Sequence, residues 1–142
     1  MDTIASFDGD FAFLSNFFVE PDGTTVEHEF AAAKTHDLRE QVRILTASTP
    51  GQAKRLGRKV TLRPDWEDVK VNVMRSLVLR KFLDHPDLAR RLLATSDATL
   101  VEGNHWHDNT WGDCSCERCA AIEGRNALGE ILMEVRQLIR AW

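Results

Sequence analysis

The stretch that decides the fold of this chain is residues 26–34, which read VEHEFAAAK. Its pattern predicts a short helix. Glu27 and Lys34 are seven residues apart, so both project from one face of that helix. Phe30 and Ala31 lie between them and supply an apolar floor. Because charges on an apolar face are costly to bury unless they pair or take part in chemistry, the stretch is either a solvated helix edge or half of an active site.

The composition indicates one soluble domain. The chain has 142 residues and a mass of 16.1 kDa, and its 43% hydrophobic residues are enough for one continuous core, so we expect a single domain over residues 1–142. A net charge of −4 and a pI near 5.7 argue against a general nucleic-acid coat, although local basic clusters can hold phosphates. The sequence contains neither a signal-like start nor a long apolar run, so we expect no membrane contact and a cytoplasmic location.

Residues 7–19 are dense in aromatic side chains and interrupted by turn-forming residues, which predicts a short strand, a loop and a second strand. Ser15 and Asn16 fall inside this apolar frame. They form either a turn whose side chains bond their own backbone or a pair of neutral polar groups held toward a pocket. The frequency of both residues in turns favours the first interpretation.

Helices are predicted for most of the remaining chain. Residues 37–47 have a weak helical pattern, and Thr49 then supplies an N-cap for another short helix. The longest predicted helix begins near Pro64 and ends near Leu83, and a terminal helix from Leu128 keeps one apolar face. With a short strand predicted just before Gly103, the fold class is α+β, mainly helical with a few short strands.

A cluster of basic residues follows the third predicted helix start. Five cations fall within ten residues of an acidic protein: Lys54, Arg55, Arg58, Lys59 and Arg63. A helix N-terminus with basic neighbours can hold an anion, so the cluster is either a phosphate contact or a solvated face.

Trp66 stands at the start of the longest predicted helix. An indole in that position is usually a packing residue, but it can also stack on a base. The sequence alone leaves both roles open.

Residues 104–113 have no helical or strand period and are crowded with side chains capable of chemistry. Loops of this kind often carry function. The segment contains two histidines, two aspartates and two tryptophans, so we expect functional groups there.

The three cysteines of the chain are Cys114, Cys116 and Cys119. With His105 or His107 they could form a Cys₃His zinc site. Their spacing is tighter than the usual two-knuckle pattern and no second pair follows, so we expect no metal and treat the zinc site as the alternative. Three clustered cysteines cannot form a disulfide framework, which favours a reducing compartment.

Several short blocks of sequence are informative together. They are Leu14-Ser15-Asn16-Phe17; Val26-Glu27-His28 with Phe30 and Lys34; ASTPGQAKRLGR at residues 47–58; Arg63-x-Asp65-Trp66 with Lys70 and Met74; Leu100-Val101-Glu102; Asp108-x-x-Trp111-Gly112; and Asn126-x-Leu-Gly129 with residues 132–136. In this number and order the blocks resemble the NADAR family, also called YbiA-like, over nearly the whole chain.

The resemblance implies an enzyme, a hydrolase acting on N-glycosyl compounds. Members of the family are associated with two kinds of reaction at the base–ribose bond. One is removal of ADP-ribose from modified guanine in a nucleoside or DNA, which we expect here, and the other is cleavage of phosphorylated riboflavin-pathway intermediates. Hydrolysis needs only water, so no cofactor is implied.

Our mechanistic hypothesis places residues of this chain in the roles that such a hydrolysis requires. Glu27 becomes the acid/base or charge-stabilising carboxylate, and Lys34 either a nucleophile that forms a Schiff base or a charge that pairs with Glu27 or a phosphate. Asp108 joins them as the third catalytic candidate, orienting a ribose hydroxyl or the base. The expected substrate-binding residues are Ser15, Asn16, His28, Arg58, Arg63, Trp66, Trp111, Gly112 and Asn126.

A function of another class uses the same residue types. A binding module could recognise ADP-ribose or NAD without cleaving it, because binding and catalysis differ in what is stabilised in the transition state rather than in residue type. The expected partners are therefore an ADP-ribose-type or other phosphorylated riboside and, for the larger ligand, ADP-ribosylated DNA.

Overall fold

The structure is a computed structural model that describes residues 2–142, and these residues fall into two compact units. One unit is residues 16–81, and the other is residues 2–15 with 82–142. Helices dominate both and the strands are short, which confirms the predicted fold class. Within the described residues, no helix combines the length and apolar composition needed to cross a membrane.

The unit of residues 16–81 is helical throughout. Its elements are α1 (Val26–Ala33), α2 (Leu38–Leu45), α3 (Pro50–Gly57) and the greater part of α4 (Trp66–Asp84). The predicted cap of α3 forms, because Thr49 Oγ1 accepts the amide of Gln52 at 3.1 Å. Asp37 caps α2 in the same way, with its Oδ1 accepting the amide of Arg39 at 2.8 Å. Local sequence therefore determines where these helices begin.

Helix α1 packs against α2 and α3 through small side chains. The buried contact group consists of Ala31, Ala32, Ile44 and Ala53. A Cβ atom added at Gly57 would lie 2.9 Å from the Cβ of Ala31, so α1 and α3 approach too closely for a side chain there. Small residues thus allow a short helix to be held on two sides.

The other unit combines short strands with two helices. Its elements are β1 (Thr3–Ile4), a 3₁₀ helix (Gly9–Leu14), α5 (Pro86–Ala94), β2 (Thr99–Leu100), β3 (Gly103–Asn104), β4 (Asp113–Cys114), a second 3₁₀ helix (Glu117–Cys119) and α6 (Ala127–Arg140). Strands β1 and β2 pair in parallel, as do β3 and β4. Helix α6 packs against α5 and β2.

The prediction of two strands within residues 7–19 was wrong. The segment forms the 3₁₀ helix Gly9–Leu14, and no strand is assigned between residues 5 and 98 of the described chain. Phe13 is buried, with its ring edge-on to Phe82 at 6.5 Å and the Arg91 guanidinium 4.2 Å above it. The aromatic density therefore reflects burial of a compact turn and not the period of a strand.

Asn126 connects α6 to the end of β2. Its backbone is left-handed, with φ of 53°, and its side-chain amide donates to the Leu100 carbonyl at 2.9 Å. The Asn126 side-chain oxygen, Oδ1, accepts the Glu102 amide, also at 2.9 Å. One turn later, a Cβ atom added at Gly129 would lie 2.1 Å from the Leu100 carbonyl oxygen. Both residues are thus required for α6 to approach β2.

We expect Gly129→Ala to lower the free energy of unfolding by at least about 2 kcal/mol, because the added methyl group collides with backbone that cannot move independently. The matched control is Gly51→Ala in α3, where a new Cβ meets only Thr49 Oγ1, at 3.9 Å. Alanine should be neutral or slightly stabilising at that position. Urea unfolding measures the free energy of unfolding of each variant. Equal stability of the two variants would contradict the proposed close packing at Gly129.

Candidate active site

Glu27 and Lys34 lie at opposite ends of α1 and their charges interact. Glu27 stands in the first turn and is 9% exposed, and Lys34 is the C-cap residue and is half-buried. The predicted carboxylate and ammonium therefore do share one environment, and neither is a freely solvated side chain.

The start of α1 is held by hydrogen bonds from both sides. Thr25 Oγ1 accepts the His28 amide at 3.0 Å and lies 2.6 Å from His28 Nδ1. The other ring nitrogen, Nε2, lies 3.0 Å from the Ala47 carbonyl oxygen. Because a carbonyl only accepts, Nε2 carries the proton and Nδ1 accepts from Thr25. His28 thus links α1 to the segment after α2, and its predicted contact with substrate stays a prediction.

Asn16 fixes the backbone of Glu27. Its carbonyl oxygen accepts the Glu27 amide at 3.0 Å, and its side-chain amide lies 3.5 Å from Met74 Sδ. Ser15, in the other unit, ends the 3₁₀ helix and donates its amide to Ala12 at 3.0 Å. Both residues lie where the chain turns after the 3₁₀ helix, and the side-chain bonding to their own backbone and the substrate contacts both stay predictions.

The end of α1 is held by Arg63. Its amide donates to the Lys34 carbonyl at 2.8 Å, and its Nη1 lies 3.5 Å from the Ala33 carbonyl. The same guanidinium binds Asp65 through two hydrogen bonds, of 2.6 and 2.9 Å. Arg63 therefore positions the backbone of Lys34, a role that its place in the basic cluster did not reveal.

Gly57 makes room for the Lys34 side chain. A Cβ atom added there would lie 3.8 Å from Lys34 Cδ, in addition to its contact with Ala31. The sequence pattern did not indicate a functional role for this glycine. Its only signal was a glycine at the end of a predicted helix, which is also the signal of an ordinary helix end.

The pKa of Lys34 is lowered from its ordinary value of 10.5, chiefly by burial. The nearby Glu27 carboxylate opposes this effect and raises the pKa of Lys34. The positive charges of Arg58, Lys54 and Lys70 lower it further. A larger fraction of Lys34 is therefore neutral at a given pH than for a solvated lysine.

Three residues of the basic cluster line a groove along α3. The groove has a volume of about 600 Å³ and is lined by Thr46, Ala47, Ser48, Gln52, Arg55, Leu56, Arg58 and Lys59. Three of these residues are cationic, so the groove suits an anion. Lys54 points elsewhere, with its ammonium 5.8 Å from the centre of the Phe17 ring.

Trp66 is a core residue in this structure. It is 5% exposed, and its ring lies 5.0 Å from that of Phe30 at an angle of 55°. The packing role considered for Trp66 is thus observed, and the role of base stacking stays a prediction.

The remaining predicted site residues belong to the other unit. Asp108 Oδ1 accepts the amides of Thr110 and Trp111, at 3.1 and 2.9 Å. Gly112 lies so close to the Glu102 carbonyl that a Cβ atom would be 2.2 Å from its oxygen. These contacts shape the loop, and the catalytic role of Asp108 and the substrate contacts of Trp111 and Gly112 stay predictions. The substrate contact of Asn126 also stays a prediction, and in the structure both polar atoms of its side chain bond to backbone groups.

Asn104 organises the same loop. The sequence indicated the loop as a whole but not the role of this residue. It is 2% exposed, and its Oδ1 accepts the amides of Trp106 and Asp108, at 3.2 and 3.1 Å. Its Nδ2 donates to the Asp108 carbonyl at 2.8 Å. A buried amide with these bonds holds the loop in one conformation.

Lys81 is a buried charged residue whose burial the sequence did not reveal. It is 2% exposed, and burial lowers its pKa to about 8, opposed by the Glu20 carboxylate. Its ammonium lies 5.4 Å from the centre of the Phe18 ring. Lys81 occupies a position on the long helix α4 that the hydrophobic pattern assigned to neither core nor site.

Comparison with known proteins identifies the family. The NADAR domain matches residues 11–140. An N-glycosidase of Nostoc punctiforme is 44% identical over 121 residues, which are 82% of this chain and 74% of that protein. The N-glycosidase YbiA of Escherichia coli is 40% identical over 134 residues, covering 91% of this chain and 80% of that protein.

A riboflavin biosynthesis protein of Vibrio vulnificus is 41% identical over 138 residues, which are 92% of this chain. The chain spans only 36% of the length of that relative. Among solved structures, the NMR structure of the E. coli protein YbiA matches with a TM-score of 0.80 at 37% identity, covering 99% of this chain and 86% of that chain.

These relatives confirm three predictions: the family, the fold, and the enzyme class of hydrolases acting on N-glycosyl compounds. The blocks of residues quoted from the sequence lie within or beside the matched range. The chain belongs to the NADAR family.

Proposed function

We propose that this enzyme hydrolyses the N-glycosidic bond between a base and a phosphorylated ribose, and that its substrate is ADP-ribose attached to guanine in a nucleoside or DNA. The observation that carries the proposal is the pairing on α1 of a buried carboxylate, Glu27, with a lysine of lowered pKa, Lys34. N-glycosidic cleavage needs a proton for the departing base and a group that receives the anomeric carbon.

Glu27 is assigned to the departing base. When the bond between C1 of the ribose and the base nitrogen breaks, the electron pair leaves with the nitrogen, and a proton from the Glu27 carboxyl group neutralises it. As a carboxylate, Glu27 then stabilises the positive charge at the anomeric carbon. Its backbone bond to Asn16 holds it in place for both tasks.

Lys34 is assigned to the ribose. Its neutral amine attacks C1. As the bond from C1 to the ring oxygen breaks, one proton passes from the attacking nitrogen to that oxygen, which leaves a protonated Schiff base between the Lys34 nitrogen and C1. Water adds to this imine, the C–N bond breaks, and the proton that is released returns to the Glu27 carboxylate, so the free sugar leaves with both residues regenerated. The lowered pKa of Lys34 supports this role, because only the neutral amine has the free electron pair.

The cationic groove along α3 favours a diphosphate over a single phosphate. Arg55, Arg58 and Lys59 line it, and Arg58 is also the cation with the largest lowering effect on the pKa of Lys34. A diphosphate carries more charge than one phosphate group and benefits from more than one cation. A locally basic surface would also accept a nucleic-acid backbone.

A second candidate is cleavage of a phosphorylated riboside of the riboflavin pathway. It is favoured by the name of the Vibrio vulnificus relative, a riboflavin biosynthesis protein. The chemistry at C1 would be the same, with one phosphate to bind in place of two. A cytoplasmic location suits either substrate and stays a prediction.

A side-by-side assay tests the choice of substrate. We expect release of guanosine from ADP-ribosylated guanosine with kcat/KM at least about tenfold above that for the riboflavin-pathway ribosides. Arg58→Gln should raise KM for the ADP-ribosylated substrate by about tenfold through loss of one charged hydrogen bond. Arg39→Gln, in α2, is the matched control. Preference for the smaller ribosides would favour the second candidate, and binding without turnover would indicate a recognition module.

Glu27→Gln should lower kcat by at least about 100-fold, because an amide cannot deliver the proton. The substitution also removes the charge that raises the pKa of Lys34, so the amine becomes more neutral and the loss cannot be attributed to a protonated lysine. Glu29→Gln is the control on the same helix, where the native carboxylate pairs with Arg80. Single-turnover rates of both variants measure the effect. Activity of Glu27→Gln within a few-fold of wild type would refute the assignment.

Lys34 should be trapped during turnover. Borohydride reduces a Schiff base to a stable amine, so we expect a ribose adduct on the peptide that contains Lys34 by mass spectrometry. Lys34→Arg keeps the positive charge but should form no adduct and lose at least about 100-fold in kcat, whereas Lys70→Arg should behave as wild type. If the neutral amine attacks, kcat/KM rises with pH through a pKa below 10.5. An active Lys34→Arg enzyme would exclude the covalent route.

A further inference from the structure

The cysteine cluster lies in a part of the chain with little regular structure. Between Val101 and Asn126 the structure contains only the two-residue strands β3 and β4 and a three-residue 3₁₀ helix. Several surface residues of this segment are apolar, among them Trp106 at 61% exposure and Ile122 at 52%. A loop of this length with so little core usually needs another source of rigidity.

Three thiols and one imidazole converge in this segment. The possible ligand atoms of His107, Cys114, Cys116 and Cys119 all lie within 4.8 Å of one another. Cys114 and Cys119 are buried, and Cys116 is half-buried. All three thiols are free. His107 precedes the first cysteine by seven residues, so the chain must fold back on itself to bring this ring to the thiols.

The distances suit tetrahedral coordination. His107 Nδ1 lies 3.3 Å from Cys116 Sγ and 3.4 Å from Cys119 Sγ. In a tetrahedral zinc site, bonds of about 2.3 Å to sulfur and about 2.0 Å to nitrogen place neighbouring ligand atoms roughly 3.5 Å apart. The other ring nitrogen, Nε2, lies on the side of the exposed Arg118, at 3.5 Å from its Nη1. The ring therefore presents Nδ1 to the thiols.

Amide donors surround the sulfur atoms. Cys114 Sγ accepts the His107 amide at 3.3 Å and the Cys116 amide at 3.5 Å. Cys119 Sγ accepts from the side chain of Asn109 at 3.4 Å. Hydrogen bonds of this kind stabilise thiolates and orient them toward a metal. His107 has a φ of 68°, a left-handed backbone that lets its amide reach one thiol while its ring reaches two others.

We propose that His107, Cys114, Cys116 and Cys119 bind one Zn²⁺ ion in a closed Cys₃His site. Thiolate sulfur with one imidazole is the donor set that zinc prefers. Binding displaces the thiol protons into solvent and leaves the oxidation state of the cysteines unchanged. All four positions are filled by the protein, so the ion crosslinks the loop and takes no part in hydrolysis.

The proposed ion would hold the loop that carries two predicted site residues. Asn109 connects the loop to the cysteines, because its Oδ1 accepts the Cys114 amide at 2.9 Å and its Nδ2 donates to Cys119 Sγ. Asp108 and Trp111 lie on either side of Asn109 in the sequence. Loss of the ion should therefore loosen this segment while leaving α1, in residues 16–81, folded.

The experiment measures metal in the full chain, purified under reducing conditions without a metal-affinity tag. We expect about one zinc ion per chain by elemental mass spectrometry, and thiolate-to-metal charge transfer after replacement by Co²⁺. His107→Ala should lower the zinc content several-fold. His105→Ala is the matched control, because that neighbouring ring contacts Ser115 Oγ at 3.3 Å and lies outside the thiol cluster.

A second measurement needs no variant and so does not depend on folding of a mutant. In the wild-type chain the three thiols should react slowly with an alkylating reagent when zinc is bound, and at least about tenfold faster after chelation. The proposal is overturned by less than about 0.1 zinc ion per chain after incubation with equimolar Zn²⁺, by equal zinc content of the two histidine variants, or by an intact mass that reveals a disulfide in the chain as purified.

Discussion

The constraint that shapes the unit of residues 16–81 is the burial of two charged side chains, Glu27 and Lys34, at the two ends of one short helix. An eight-residue helix has little stability of its own, and a buried carboxylate beside a half-buried lysine would add to its cost. The chain compensates at both ends: Asn16 holds the amide of Glu27, and Arg63 holds the carbonyl of Lys34. Small alanine side chains on α1 allow α2 and α3 to pack closely against it. The charged pair is therefore held by backbone contacts that do not consume the charges themselves.

Features encoded by neighbouring residues could be predicted from the sequence. Thr49 followed by Pro50 defines the start of α3, and the seven-residue spacing of Glu27 and Lys34 places both on one stretch of α1. The prediction of strands failed for residues 7–19. Phe13 and Leu14 are buried in a 3₁₀ helix there, and the aromatic and apolar composition of this segment resembles that of a strand. Strands β3 and β4 were not predicted, because two paired residues on each side leave no periodicity to detect.

The site could be predicted by residue type but less well by what each residue contacts. His28, Arg63 and Asn126 carry groups that could bind a substrate, and in the structure each of them holds backbone or a neighbouring side chain. Those contacts join residues distant in sequence, such as His28 with Ala47, and no spacing rule reveals them. The roles of Gly57 and Asn104 were not predicted for the same reason. Gly57 matters because α1 packs closely against it, and Asn104 because its side chain bonds to the backbone of the loop.

The two units obtain rigidity by different physical means. In residues 16–81, small buried side chains and hydrogen bonds at both helix ends leave little freedom to α1, the helix that carries Glu27 and Lys34. Between Val101 and Asn126 there is little apolar packing, and the loop relies on the amides of Asn104, Asn109 and Asn126. Hydrogen bonds in a partly exposed loop contribute only modestly because water competes for them. A metal crosslink at the three thiols, as proposed above, would add to this segment a constraint that water cannot replace.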